Sequence, residues 1–166
     1  MKIGCPKEIK PQEFRVGITP NAAREAVARG HQVMVEAGAG LGAGFADADY
    51  LSAGAVIVPA AEEVFAASEM IVKVKEPTPN EFTRLRDGQL LFTYLHLAPA
   101  RALTDELLRR GITGIAYETI TNDHGHLPLL TPMSEVAGRM SIQIGAYYLE
   151  KVNGGWSWGD GDCDRS

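Results

Sequence analysis

Apolar residues recur along this chain in two rhythms. Six short runs are almost continuously apolar: KIGC at 2–5, HQVMVE at 31–36, VIV at 56–58, MIVKVK at 70–75, QLLFTYL at 89–95 and TGIAY at 113–117. Runs of this length, rich in β-branched and aromatic residues, predict strands covered on both faces. Stretches with helical spacing lie between them. Thr19-Pro20 supplies an N-cap followed by proline at the first helical position, and Gly30 closes that helix. Further helices are predicted at 47–53, 61–67, 79–86 and 100–110, the last stopped by Gly111. Strands alternating with helices imply an α/β fold: a mainly parallel sheet with helices on both faces, joined by right-handed crossovers. Ligands of such sheets bind outside the carboxyl ends of the strands, which turns chain position into a map of the site.

The rhythm changes at Thr131-Pro132, which opens a helix of about 20 residues, roughly 30 Å long. Val136, Met140, Ile144, Tyr148 and Val152 form one apolar stripe on it, and Ile142, Ala146 and Leu149 add a second row. Such a helix needs cover on more than one side. Asn153-Gly154-Gly155 ends it, and the following WSWGDGDCDRS, with two tryptophans expected to be exposed, has no periodicity at all.

Composition narrows the function classes. A hydrophobic content of 45% in 166 residues is enough for one domain with a real core. The balance of 16 basic against 21 acidic residues leaves the chain at −5 with no clustered basic face, which argues against a nucleic-acid partner. Cys5 and Cys163 sit at opposite ends without metal-ligand spacing, as expected in a reducing compartment. MKIGCPKEIK lacks the apolar core of a signal peptide, and no run approaches about 18 apolar residues. The expectation is a soluble cytoplasmic protein with neither membrane nor metal partner.

Two lysines interrupt the strand at 70–75. Lys73 and Lys75 share one face because strand side chains alternate. The ordinary reading is that both bury their stems and reach water with their ammonium groups. Lys75, at the last strand position before Glu76-Pro77, also points into the ligand crevice, where an ammonium would fix a carboxylate or polarise a carbonyl. The next strand repeats this arrangement, with Tyr94 and His96 on one face and His96 at the carboxyl end. A lone histidine is more often structural, but imidazole at this level suits proton donation or substrate orientation. Arg15, in the loop after the first strand, offers a fork for a carboxylate. Alone it reads as a surface residue. Arg15, Lys75 and His96 from three β-α junctions together read as a site for a small organic acid.

Other motifs carry less. Gly38-Ala-Gly40-Leu-Gly42-Ala43 loosely fits the dinucleotide fingerprint, but the next helix starts only near Asp47 and no acidic residue closes the following strand. Asp160, Asp162 and Asp164 imitate the start of a calcium loop, yet Arg165 stands where the turn glycine belongs. His124 and His126 read as turn residues.

In this order, KIGCPKEIKPQEFRVGITP, VKVKEP, FTYLHLA, IAYETI and LPLLTPMSEVAGR resemble successive motifs of the alanine dehydrogenase family. They also resemble its relatives, the nicotinamide nucleotide transhydrogenase α subunit and saccharopine dehydrogenase. FTYLHLA together with PMSEVAGR favours alanine dehydrogenase over the transhydrogenase. The resemblance spans residues 1–155 and implies a Rossmann-like or flavodoxin-like substrate domain over 1–133. It further implies a long inter-domain helix over 134–153, and a tail at 154–166 foreign to the family. The family oxidises L-alanine with NAD to pyruvate and ammonia, reversibly, usually as a hexamer. L-alanine or pyruvate as substrate, NAD as cofactor and a homo-oligomeric state are therefore implied. By position, Arg15 and Lys75 match the substrate-binding pair, and His96 matches the residue that contacts the substrate carbonyl and is proposed for proton transfer. Tyr94, Met133 and Ser134 match pocket or coenzyme-contacting positions. Lys75 and His96 are thus the expected catalytic residues, and Lys73 a structural one.

The family continues after the helix glycines into a full NAD-binding domain that this sequence does not carry, and from Trp156 nothing matches, as in a frameshifted or truncated end. The expectation is a substrate-binding half that turns nothing over alone. The alternatives are a transhydrogenase-like domain, a pyruvate- or alanine-binding module without chemistry, or a fragment that joins other subunits through its long helix.

Overall fold

Six strands, all parallel, lie side by side in the order β3-β2-β1-β4-β5-β6. The strands are β1 (Lys2–Cys5), β2 (Gln32–Glu36), β3 (Val56–Val58), β4 (Met70–Val72), β5 (Leu90–Thr93) and β6 (Thr113–Ala116). The helices between them are α1 (Pro20–Ala28), α2 (Asp47–Ser52), α3 (Ala61–Ala67), α4 (Pro79–Phe82) and α5 (Arg101–Arg109). The structure, a computed structural model, describes residues 1–155. Trp156, Trp158, Cys163 and the Asp160, Asp162, Asp164 run lie outside the described residues. The chain divides into two compact units, Met1–Thr119 and Ile120–Ser166.

Neighbouring residues of one strand face opposite sides, and the cores follow that alternation. Val72 joins Ile3, Cys5, Val33, Val35, Ala23 of α1 and Tyr50 of α2 in one core. Ile71 joins Leu91, Val64 and Phe65 of α3, and Leu103 and Leu107 of α5 in the other. Helices thus cover both faces, as the strand–helix alternation predicts. Thr19 caps α1 as expected, its Oγ1 accepting the Ala22 N–H at 3.3 Å. The strand order reverses direction between β1 and β4, so the crevice at their carboxyl ends is the switch point where ligands of open parallel sheets bind.

Two predicted strands and one helix end earlier than the sequence pattern implies. β4 stops at Val72 rather than Lys75, and β5 at Thr93 rather than Leu95. The ladder itself runs slightly further, with the Lys73 N–H bonded to the Phe92 carbonyl at 3.1 Å and the Tyr94 N–H to the Val74 carbonyl at 3.1 Å. Beyond that, backbone donors turn to side-chain carboxylates and the chain bends. α4 covers only Pro79–Phe82, because Arg84 and Leu85 bond three residues back instead of continuing the α-helical pattern.

The second unit contains α6 (Thr131–Leu149), of 19 residues, followed by a single 3-10 turn at Lys151–Asn153. Pro132 sits in its first turn, and the Thr131 hydroxyl bonds back to the Leu127 carbonyl at 2.8 Å. Val136, Met140, Ile142, Ile144, Tyr148 and Leu149 are exposed. His124 and His126 stand in a turn whose amides are both accepted by Asn122 Oδ1, at 3.0 and 2.9 Å. No helix among the described residues is long and apolar enough to cross a membrane.

Candidate active site

The first unit gathers four of the sequence-predicted residues at the carboxyl edge of its sheet. Arg15 lies in the loop after β1, Lys75 just past β4, and Tyr94 and His96 just past β5. The Tyr94 and His96 rings stack with centroids 6.1 Å apart and planes inclined by 20°. Tyr94 is buried, and its ring also meets Tyr117 edge-on at 4.9 Å. Burial pushes the Tyr94 phenol up, while the nearby Arg15 guanidinium opposes that shift. The Lys75 ammonium is one of the charges that hold Glu13 below the usual carboxylate range, behind the dominant hydrogen bond from Arg15. Arg15, Lys75, Tyr94 and His96 therefore share one neighbourhood. Met133 and Ser134 belong to the second unit, on the first turn of α6.

The Arg15 loop owes its position to two glycines. A Cβ at Gly17 would stand 2.6 Å from the Val72 carbonyl oxygen, so the loop returning from Arg15 lies directly on the end of β4. A Cβ at Gly42 would stand 2.7 Å from the Phe14 carbonyl oxygen. Part of the glycine-rich stretch thus packs against the Arg15 loop. It enters a single 3-10 turn, Leu41–Ala43, and α2 begins only at Asp47. A cavity of about 340 Å³ opens between these two loops, lined by Glu8, Glu13, Phe14, Arg15 and Gly42 among others.

Lys73 and Lys75 part company. Lys73 is 1% exposed, its Nζ donating to Glu81 Oε1 at 2.8 Å and pairing with Glu8 Oε2 at 3.4 Å. Glu81 also caps α4, accepting the Thr78 N–H at 2.8 Å. Contrary to the ordinary reading of the strand, Lys73 thus does not reach water with its ammonium group, because Glu8 and Glu81 compensate it inside the protein. Lys75 is half-buried. It sits on a bend three residues past the end of β4 rather than at the last strand position. His96 is exposed and likewise lies beyond β5, at a φ of 45°, a left-handed backbone that side-chain-bearing residues rarely adopt.

Three glutamates that the sequence reading passed over surround these groups. Glu8 is buried, and desolvation pushes its carboxyl up against the pull of Lys73 and of the Val74 amide. Its Oε1 accepts the Val74 N–H at 2.6 Å and the Lys75 N–H at 3.4 Å. Glu13, with its side chain 6% exposed, accepts Arg15 Nε at 2.8 Å and Nη2 at 2.6 Å. Glu118 accepts the amides of Leu95 and His96 on one oxygen, at 3.0 and 2.8 Å. Glu76, next to Lys75, pairs with Lys10. Among the described residues, no cluster of His, Cys, Asp and Glu is arranged to hold a metal ion.

Alanine dehydrogenase of Methanococcus maripaludis is 59% identical over 155 residues, which are 93% of this chain and 42% of that protein. A solved L-alanine dehydrogenase superposes with a TM-score of 0.85 at 57% identity, over 93% of this chain and 42% of its own. The transhydrogenase of Sinorhizobium meliloti is more distant, with a TM-score of 0.69 at 27% identity over 74% of this chain and 35% of its own. The chain therefore spans about two fifths of the length of the alanine dehydrogenases it matches. The family model "Alanine dehydrogenase/PNT, N-terminal domain" covers residues 4–137, and this chain belongs to that family.

Proposed function

We propose that this chain is the substrate-binding half-site of an NAD-dependent L-alanine dehydrogenase, taking L-alanine or pyruvate by its carboxylate. The observation that carries the reading is the meeting of Arg15, Lys75 and the Tyr94–His96 stack at one sheet edge, in a chain whose similar proteins are alanine dehydrogenases. In this reading the Arg15 guanidinium and the Lys75 ammonium hold the carboxylate, each contributing charge-assisted hydrogen bonds. His96 bonds the carbonyl oxygen of pyruvate and gives or takes its proton at the imidazole. Tyr94 backs the imidazole and limits its rotation.

NAD accepts the hydride in this family. The glycine-rich loop of this chain does not fit the cofactor's pyrophosphate, because it leads into an isolated 3-10 turn instead of a helix N-terminus with free amides. Hydride transfer is accordingly not assigned to the residues of the first unit, and Met133 and Ser134 are kept as coenzyme-contacting positions. The same reading carries a homo-oligomer, hexameric as in the family, and a cytoplasmic location.

Calorimetric titration with pyruvate tests the half-site. Saturable binding is expected, weakened roughly tenfold or more by Lys75→Ala, the cost of one charge-assisted bond. Equal affinity in the two proteins would contradict the role given to Lys75.

A further inference from the structure

We propose that Glu8, Glu13 and Glu118 are the positioning residues of this site, each holding with its carboxylate the backbone amide of one of Lys75, Arg15 and His96. The proposal deepens the reading of Arg15, Lys75 and His96 as acid-binding groups and rests on it.

The arrangement occurs twice at strand ends, and a local carboxylate–amide bond holds Arg15. In a parallel sheet, successive amides of a central strand point alternately to its two neighbours. Past β4, the Lys73 N–H bonds toward β5, to the Phe92 carbonyl. The next donor, Val74 N–H, turns to the β1 side, where β1 has already ended at Cys5. Glu8, three residues further along that chain, accepts the Val74 amide and then the Lys75 amide. Past β5, the Tyr94 N–H bonds toward β4, to the Val74 carbonyl. The Leu95 N–H turns to the β6 side, where β6 has ended at Ala116. Glu118, two residues on, accepts the Leu95 and His96 amides together. In the loop after β1, Glu13 Oε1 accepts the Arg15 N–H at 3.0 Å as well as Nε, so backbone and guanidinium are held by one carboxylate.

Each carboxylate thus stands in for the carbonyl that a short neighbouring strand fails to supply, or closes the loop that carries the arginine. A side-chain carbonyl or carboxylate oxygen suits the task because its two lone pairs accept two adjacent amides at once. His96 makes the purpose visible. Its φ of 45° is unfavourable for a residue with a side chain, and such a conformation persists only where surrounding bonds over-determine it. The Glu118 bonds to Leu95 and His96 are those bonds, and the imidazole they orient stacks on Tyr94.

Glu118 is the residue to vary, because Glu8 also pairs with the buried Lys73. Glu118→Gln keeps a carbonyl oxygen that accepts both amides, and Glu118→Met, of similar volume, keeps none. Two readouts are taken on the full 166-residue chain: hydrogen exchange at the Leu95 and His96 amides by NMR, and pyruvate affinity by calorimetry. In Glu118→Met both amides should exchange roughly tenfold faster or more, and pyruvate binding should weaken by a similar factor. Glu118→Gln should stay within about twofold of the parent on both readouts. Far-UV circular dichroism separates these effects from unfolding, and the Gln variant alone decides the matter if the Met variant does not fold. Unchanged exchange at His96 in Glu118→Met would overturn the proposal. So would a Gln variant as impaired as Met, because the effect would then belong to charge. A parent chain that fails to bind pyruvate would instead remove the proposed function, while the two amides still report on the clamp.

Discussion

Lys73 and Lys75 are two residues apart just past the end of β4, yet they occupy different chemical worlds. Lys73 lies between Glu8 and Glu81 with its side chain 1% exposed, so its charge is compensated inside the protein. Removing one partner of a buried ion group leaves the rest uncompensated, which costs far more than the intact group contributes. Lys73→Met should therefore destabilise the fold by about 3–5 kcal/mol, read as a lower midpoint in urea unfolding. An unchanged midpoint would mean that the two glutamates relax to solvent without cost. The period-2 alternation places both lysines on the crevice side, and the family motif separates their roles. What that pattern does not carry is the partner set. Glu8 is 65 residues away from Lys73 in sequence, and Glu81 and Glu118 read from sequence as ordinary helix-start and loop residues. Their role depends on which strand neighbours which.

At the scale of elements, the sheet edge is shaped by close backbone approaches as much as by strands. The order of strands and helices was readable because short apolar runs alternate with capped helical stretches, and α1, α2, α3 and α5 match the predicted positions to within a residue or so at each end. The ends of β4 and β5 were not readable. Apolar patterning continues to Lys75 and Leu95, but the neighbouring strands stop first and carboxylates take the amides. The glycine-rich stretch carried an ambiguous signal for a related reason: glycines needed for close packing look like glycines needed for phosphate. Gly42→Ala places a methyl 2.7 Å from the Phe14 carbonyl oxygen, so the Arg15 loop must move away. A stability loss of about 1–3 kcal/mol is expected. Weaker pyruvate binding should accompany it, because Arg15 moves with that loop. Full stability and full affinity in this variant would show that the loop accommodates the methyl elsewhere.

For the whole molecule, the strand order explains why three separate junctions meet. Reversal between β1 and β4 places the loop after β1 beside the loop after β4, and β5 adds the third. The α/β class was legible, as was the position of Arg15, Lys75 and His96 just past strand ends, because chain order and strand direction fix both. The division into units between Thr119 and Ile120 is not marked by local composition. With 42% of the length of the alanine dehydrogenases it matches, the chain offers the proposed acid-binding edge for direct test by itself. The most direct measurement follows the Arg15 Nε, Lys75 Nζ and His96 imidazole resonances of labelled protein during a pyruvate titration. All three should shift and saturate with one common dissociation constant, while His124 and His126 stay still. Independent or absent responses at Arg15, Lys75 and His96 would contradict the claim that they serve one small organic acid.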